Sequence, residues 1–171
     1  SLAEQFELEL KKAQASVIPD GMSEEEILKE AASLSYSGRY QEALVYYDAL
    51  LARMADRPDT AVDKKHRLRM LLLRINCLVH MSHYVAAQEA TEEVMDMSPL
   101  SVEERLLALQ YFTICCFRRG RYTIASLALD EAEQVASRLE DSRRAIADLP
   151  MTRGNIYVAM DNPQKAIPVY E

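Results

Sequence analysis

Three side chains that could hold a metal ion lie close together near the middle of the sequence. Cys77, His80 and His83 follow one another at intervals of three residues, so a helix would bring Cys77 and His80 onto one face. Zinc accepts both ligand types, but a tetrahedral site needs four ligands, and no fourth stands at a suitable spacing. We therefore expect no metal site and no cofactor. Cys77, Cys115 and Cys116 lie in apolar helical runs, where we expect buried, reduced thiols.

A basic run occupies residues 64–69, with the sequence KKHRLR, at the start of a predicted helix. Cations are unfavourable near a helix N-terminus, so their presence there is compatible with contact to an acidic partner. The commoner explanation of such a run is a solvated face that pairs with the many carboxylates of the chain. The net charge of −7 makes nucleic acid an unlikely partner.

No pattern in the chain points to a reaction. There is no Ser-His-Asp order and no Gly-rich phosphate loop, so we expect a protein that is not an enzyme and takes no small-molecule substrate. No apolar run is long enough to cross a bilayer, and the first residues, SLAEQFELELKK, are too acidic for a secretory signal. We therefore expect a cytoplasmic protein without membrane insertion. Because the chain does not begin with Met, we also expect a fragment or a tagged protein.

Helices must position whatever the chain binds. The sequence has only 4 Gly and 6 Pro in 171 residues and no alternating β-branched run, which predicts an all-helical domain. Ser23 with Glu26 and Ser101 with Glu104 form capping boxes that predict helix starts. Before the first box, Leu2 and Phe6 begin the apolar stripe of an amphipathic helix, which we expect to cover the first helix pair as a lid.

Short turns divide the rest of the chain into helix pairs. The turns contain Gly38-Arg39-Tyr40, Ser82-His83-Tyr84, Gly120-Arg121-Tyr122 and Asp161-Asn162-Pro163. An Ala follows each turn, and the intervals between these Ala, taken from their residue numbers, are 44, 38 and 41 residues. The Ala residues are Ala43, Ala87, Ala125 and Ala166. Helix pairs that recur at such a period predict a solenoid, because each pair hides its apolar face only against its neighbours.

On these residues the chain resembles the tetratricopeptide repeat (TPR) family. The marks are a small residue in the first helix, a Gly-x-Tyr-like turn, an Ala, a large residue four later and a closing Pro. The matching residues are Ala31, Gly38, Tyr40, Ala43 and Tyr47; Leu78, Tyr84, Ala87 and Pro99; Cys116, Gly120, Tyr122, Ala125, Leu129 and Ala132; and Gly154, Tyr157, Ala166 and Tyr170. The chain departs from the family at Ile75 and Thr113, and its period exceeds the family's value of about 34 residues.

The resemblance implies a right-handed α-α superhelical solenoid of about four helix pairs. The predicted parts are an N-terminal helix and turn at 1–22 and a repeat domain at 23–171, with pairs at 23–58, 60–99, 101–140 and 142–171, the last incomplete. It also implies a concave groove, made mainly of first helices, that binds a peptide or helix of a partner protein. The candidate groove residues are Leu72, Asn76, Val79, His80, Gln110, Ile114, Phe117, Arg118 and Asn155.

The function that follows is a non-enzymatic scaffold within a larger complex. The Lys and Asn clamp by which some TPR proteins hold a chaperone tail is absent, because apolar residues such as Leu73 and Leu107 stand at those positions. The segment 133–140 resembles TPR subunits of the TRAPP vesicle tether, which favours a role in trafficking. Two alternatives stay open: a module that self-associates through its C-terminal repeat, and the regulatory domain of a longer enzyme.

Overall fold

Every regular element of the described chain is an α-helix, in agreement with the all-helical prediction. A computed structural model describes residues 1–15, 18–58, 60–97 and 99–138. The helices in these ranges are α1 (Leu2–Ala15), α2 (Glu24–Tyr36), α3 (Tyr40–Ala55), α4 (Ala61–His80), α5 (Tyr84–Asp96), α6 (Val102–Arg118) and α7 (Tyr122–Ala136). The predicted pair at 142–171, which includes Asn155, lies outside the described residues.

The first helix of each described pair begins where the sequence predicts. The Ser23 hydroxyl accepts a hydrogen bond from the backbone N–H of Glu26 at 3.2 Å, and the Glu26 carboxylate accepts one from the N–H of Ser23 at 3.2 Å. Ser101 and Glu104 repeat this reciprocal pair at 3.1 and 2.9 Å. At the start of α4, the Thr60 hydroxyl accepts from the N–H of Asp63 at 3.1 Å. Each cap satisfies N–H groups that a helix start leaves without partners.

Three turns between consecutive helices each place one residue in the left-handed region. These residues are Gly38 (φ 79°), Ser82 (φ 60°) and Gly120 (φ 75°). The next residue of each turn has φ between −83° and −88° and ψ between 61° and 64°, and a Tyr then opens the second helix. The three turns therefore share one backbone conformation, although Ser replaces Gly in the middle one.

Two backbone hydrogen bonds close the turn around Gly38. The N–H of Gly38 donates to the carbonyl of Ser35 at 3.1 Å, and the N–H of Arg39 donates to that of Leu34 at 2.9 Å. The same two bonds occur around Gly120 at 3.0 and 2.8 Å. This is the Schellman arrangement, in which the left-handed residue lets the last carbonyls of the helix find donors.

The described residues form two compact units, one within residues 1–82 and one that begins at residue 83. In the first unit, α2 packs on α3, and α3 packs on α4. Its core is an apolar cluster that includes Ile27, Ala31, Leu34, Ala43, Tyr47, Leu50, Met54, Met70 and Cys77. A partly buried ion pair joins α3 to α4, with Arg74 Nε 2.7 Å from Asp48 Oδ1. This polar contact lies at the side of the apolar cluster and helps to set the register of the two helices.

The second unit is built in the same sequential way: α5 packs on α6, and α6 packs on α7. Its core cluster consists of Leu106, Leu109, Cys116, Ala125, Leu129, Ala132, Val135 and Ala136. Arg105 forms an ion pair with Glu131 across α6 and α7. The guanidinium of Arg119 donates to the side-chain carbonyl of the buried Gln88 at 2.5 Å, which joins the end of α6 to α5.

Buried positions recur at the same places relative to each turn. Twelve residues occupy four such positions around the three turns, and none is more than 3% exposed: Ala31, Ile75 and Thr113; Ala43, Ala87 and Ala125; Tyr47, Thr91 and Leu129; and Leu50, Val94 and Ala132. Thr113 is accommodated in this core because its hydroxyl donates to the carbonyl of Leu109 at 2.8 Å, and Thr91 donates likewise to Ala87 at 2.6 Å. The departure from a small residue at Thr113 therefore leaves no buried hydroxyl unpaired.

The first helix does not form the predicted lid over its first turns. α1 contacts α3, but the side chains of residues 1–9 are all exposed. Leu2 is 83% exposed and Phe6 is 71% exposed, so the expectation that this apolar stripe is covered is wrong for these residues. Periodicity alone predicts a helix and its apolar face, but it does not say whether a partner surface lies within the same chain.

Candidate functional site

Four of the candidate partner-binding residues, Leu72, Asn76, Val79 and His80, belong to α4. Asn76 and Val79 are partly buried, and His80 is exposed. Leu72 is buried, so its assignment to a partner-binding surface is wrong. Leu72 stands four residues after Leu68 and three before Ile75, both buried, and therefore lies on the core side of the helix.

His80 is held in a defined orientation at the end of α4. Its ring stacks on that of Tyr40, the first residue of α3, with centroids 4.5 Å apart and planes 24° apart. Its Nδ1 lies 2.8 Å from the carbonyl oxygen of Asn76. Because a carbonyl oxygen only accepts, Nδ1 carries the proton, and Nε2 is the nitrogen that a bound partner could reach.

The outer face of α6 carries the second group of candidate residues. Gln110, Ile114 and Phe117 are partly buried, and Arg118 is exposed. Phe117 touches the core of the second unit, and its ring centroid lies 5.7 Å from that of Tyr122. The face combines an amide, an aliphatic and an aromatic side chain with one cation, a mixture found on surfaces that bind peptides. The structure places these four residues on one helix.

The basic run lies on the first turns of α4. Lys65, His66 and Arg69 are exposed and form no ion pair among the residues that the structure describes. Val62, 65% exposed, lies on the same side of the helix. Lys65, His66 and Arg69 therefore form an exposed basic strip on the first turns of α4.

The three cysteines are buried and unpaired, as expected. The Cys77 sulfur lies 3.6 Å from the Ser35 hydroxyl oxygen in the core of the first unit. Burial raises the pKa of the Cys77 and Cys116 thiols and raises that of Cys115 to about 11. All three thiols are protonated at neutral pH and are poor nucleophiles. In the described ranges, no three His, Cys, Asp or Glu side chains gather as metal ligands.

The sequence did not indicate a pocket in the second unit, where the start of α6 faces the end of α7. It is an open pocket of about 660 Å³, and the ion pair of Arg105 and Glu131 lies in its wall beside the exposed Leu127. Arg105 and Glu131 are 26 residues apart, so no local pattern could have brought them together before the helices were placed. The lining is mixed, with charges of both signs.

Comparisons with known proteins identify no relative of the chain. No protein-family model matches the chain, and no significant similarity to a curated protein or to a solved structure was found. Among the described residues, no helix combines the length and apolar character needed to cross a membrane.

Proposed function

We propose that the chain is a non-enzymatic interaction module, a right-handed solenoid of TPR-like helix pairs that binds a peptide or helix of a partner protein. The main support is that one turn conformation recurs at Gly38, Ser82 and Gly120. In addition, residues at the same positions relative to each turn are buried. Repeats of this kind bury one side only against their neighbours, and they offer the other side to ligands.

The outer faces of the first helices are the proposed docking surfaces. On α4 the surface is formed by Asn76, Val79 and His80, and on α6 by Gln110, Ile114 and Phe117. Amide side chains both donate and accept hydrogen bonds and can pair with the backbone of a bound segment. The partly exposed aliphatic and aromatic side chains supply apolar contact, which usually carries most of the affinity in such complexes.

An affinity capture with substituted surfaces tests this function. The full chain is immobilised and incubated with an extract of its source, and the bound proteins are compared with those held by Asn76→Arg, by Ile114→Arg and by Gln41→Arg. Gln41 is exposed on α3, a second helix, and its change adds the same charge as Asn76→Arg. We expect Asn76→Arg and Ile114→Arg to lose the partner while Gln41→Arg keeps it, with unchanged helical circular dichroism in all three. Retention of the same partners by both first-helix variants would contradict the proposal.

The setting that we propose is a larger assembly. The resemblance of residues 133–140 to TRAPP subunits supports a trafficking complex as that assembly. Copurification of the intact protein with other subunits of a vesicle tether would support this setting. Recovery of the intact protein as an isolated species under gentle lysis would count against it.

A further inference from the structure

The basic strip, formed by Lys65, His66 and Arg69, and the docking surface proposed on α4 lie one after the other on the same helix. We propose that the segment bound along α4 is an acidic peptide, whose Asp and Glu side chains contact the basic strip while its other residues reach Asn76 and His80. This inference rests on the proposed function and names the chemistry of its ligand.

The charge of α4 is opposite to that of the chain as a whole. Its 20 residues contain five Lys and Arg, one Asp and no Glu, whereas the chain has a net charge of −7. The one carboxylate, that of Asp63, accepts a hydrogen bond from the Thr60 hydroxyl at 2.7 Å, and Arg74 pairs with Asp48 of α3. The three cations of the basic strip are exposed, and no carboxylate in the described ranges forms an ion pair with them. Their charge is therefore available to a ligand of opposite sign.

The basic strip continues into the docking surface along one side of α4. Val62, Arg69 and Asn76 follow one another at intervals of seven residues, which places them on the same side of the helix. His80 stands four residues after Asn76 and shares that side. Val62 and His80 are exposed, so both ends of this line are open to a ligand. The line from Val62 to His80 is about 27 Å long, which matches an extended peptide of about eight residues.

The side chains along this line suit a peptide better than a nucleic acid. Val62, which is 65% exposed, and the long stems of Lys65 and Arg69 offer apolar surface beside the cations. Further along, the partly buried Leu73 precedes the amide of Asn76. A nucleic acid carries phosphate charge along its whole length, whereas the basic strip extends over only about 6 Å of the helix. The surface therefore matches a peptide with acidic residues at one end and apolar residues further along.

A random peptide library tests which ligand chemistry the chain selects. The full 171-residue chain is immobilised and incubated with phage that display peptides about twelve residues long, enough to span the line, and the bound peptides are sequenced. The same selection is made with a reversed variant, Lys65→Glu with Arg69→Glu. The matched control is Arg121→Glu with Arg138→Glu, two exposed cations of the second unit. Circular dichroism verifies that each variant is helical.

We expect the wild-type chain and the control to select peptides enriched in Asp and Glu, and the reversed variant to lose this enrichment. A selected acidic peptide, synthesised with a fluorescent label, should bind the reversed variant about tenfold more weakly in fluorescence anisotropy. Raising the salt concentration should weaken its binding to the wild-type chain. The same peptide with Lys in place of its acidic residues should prefer the reversed variant.

Selected peptides without acidic enrichment, or an acidic peptide that the reversed variant binds as tightly as the wild-type chain does, would overturn the inference. It would also be overturned by a labelled oligothymidylate that binds the wild-type chain more tightly than the selected peptide and loses affinity for the reversed variant, because the basic strip would then bind nucleic acid.

The Asn76→Arg variant separates this inference from the proposed function in the same anisotropy assay. If Asn76→Arg abolishes peptide binding and the charge reversal does not, the inference fails and the proposed docking surface is supported. If the charge reversal abolishes binding and Asn76→Arg does not, the acidic contact is supported and the docking proposed at Asn76 fails. A chain that selects no peptide at all would contradict both.

Discussion

The left-handed backbone conformation in the turns predicts how substitutions there change the free energy of unfolding. At Gly120, φ is 75°, and a methyl group added there would meet no atom within 4 Å. Gly120→Ala therefore changes stability only through the backbone. A residue with a side chain destabilises the fold by about 1–2 kcal/mol when it adopts the left-handed conformation. Ala loses less conformational entropy than Gly on folding, and this difference stabilises the variant by about 0.4–1 kcal/mol. We expect a net loss of about 0–1.6 kcal/mol, with a midpoint of about 0.8 kcal/mol.

In the middle turn, replacing the left-handed Ser82 by Gly should have the opposite effect on stability. Ser82 has φ 60°, and Ser82→Gly removes the strain at the cost of a more flexible unfolded chain. We expect Ser82→Gly to raise the free energy of unfolding by up to about 1 kcal/mol. Gly21→Ala is the control: Gly21 has no positive φ, and its added methyl group also meets nothing within 4 Å. This control should leave stability unchanged or raise it slightly.

Urea unfolding followed by far-ultraviolet circular dichroism measures these differences. In thermal unfolding, each kcal/mol corresponds to a shift of about 2–4 °C in a chain of this size. The reasoning is refuted if Gly120→Ala is as stable as the wild-type chain and Ser82→Gly is less stable. In that case the two turns would not share the backbone conformation from which the repeat is inferred.

Three further changes test the cores of the two units. The Tyr47 hydroxyl shares a hydrogen bond with Ser35, so Tyr47→Phe should lower the free energy of unfolding by about 1 kcal/mol in urea titrations. Asp48→Asn removes the partly buried partner of Arg74 and should cost about 1 kcal/mol, with a smaller loss at high salt. Burial raises the pKa of Cys115 from 9.0 to about 11, so the folded chain holds the thiol proton more tightly than the unfolded chain does. The neutral thiol's contribution to the free energy of unfolding is therefore complete below pH 9 and is lost as the pH rises towards 11. The stability of the wild-type chain relative to Cys115→Ala should therefore fall by about 2–3 kcal/mol across that range, and a constant difference would contradict the cause given for the shift.

Local signals in the sequence predicted the helix boundaries well. The boxes at Ser23 and Ser101 act through residues only three positions away, so their pattern is sufficient to place α2 and α6. The sequence likewise predicts the left-handed conformation at Gly38 and Gly120, because Gly is the residue that this conformation favours. The same conformation at Ser82 could be expected only by analogy with the other two turns.

The sequence predicts less well those features that depend on packing between residues far apart in the chain. The predicted groove position of Leu72 is wrong, because Leu72 shares a face of α4 with the buried Leu68 and Ile75. The exposed stripe of Leu2 and Phe6 was expected to be covered, since amphipathicity identifies an apolar face but not its partner. The grouping of Ile114 and Phe117 on one face of α6 needed only helical periodicity, whereas their partial burial depends on the neighbouring helices.

Site-specific photocrosslinking reports which helix face touches the partner, and it therefore tests the proposed docking surfaces on the first helices. Benzoylphenylalanine would replace Val79 on α4 or Ile114 on α6, and for comparison Gln41 on α3 or Glu89 on α5, all in the intact chain exposed to extract. We expect the partner to be crosslinked from Val79 and Ile114 and not from Gln41 or Glu89. Crosslinks that form from Gln41 and Glu89 but not from Val79 or Ile114 would contradict a docking surface on the first helices.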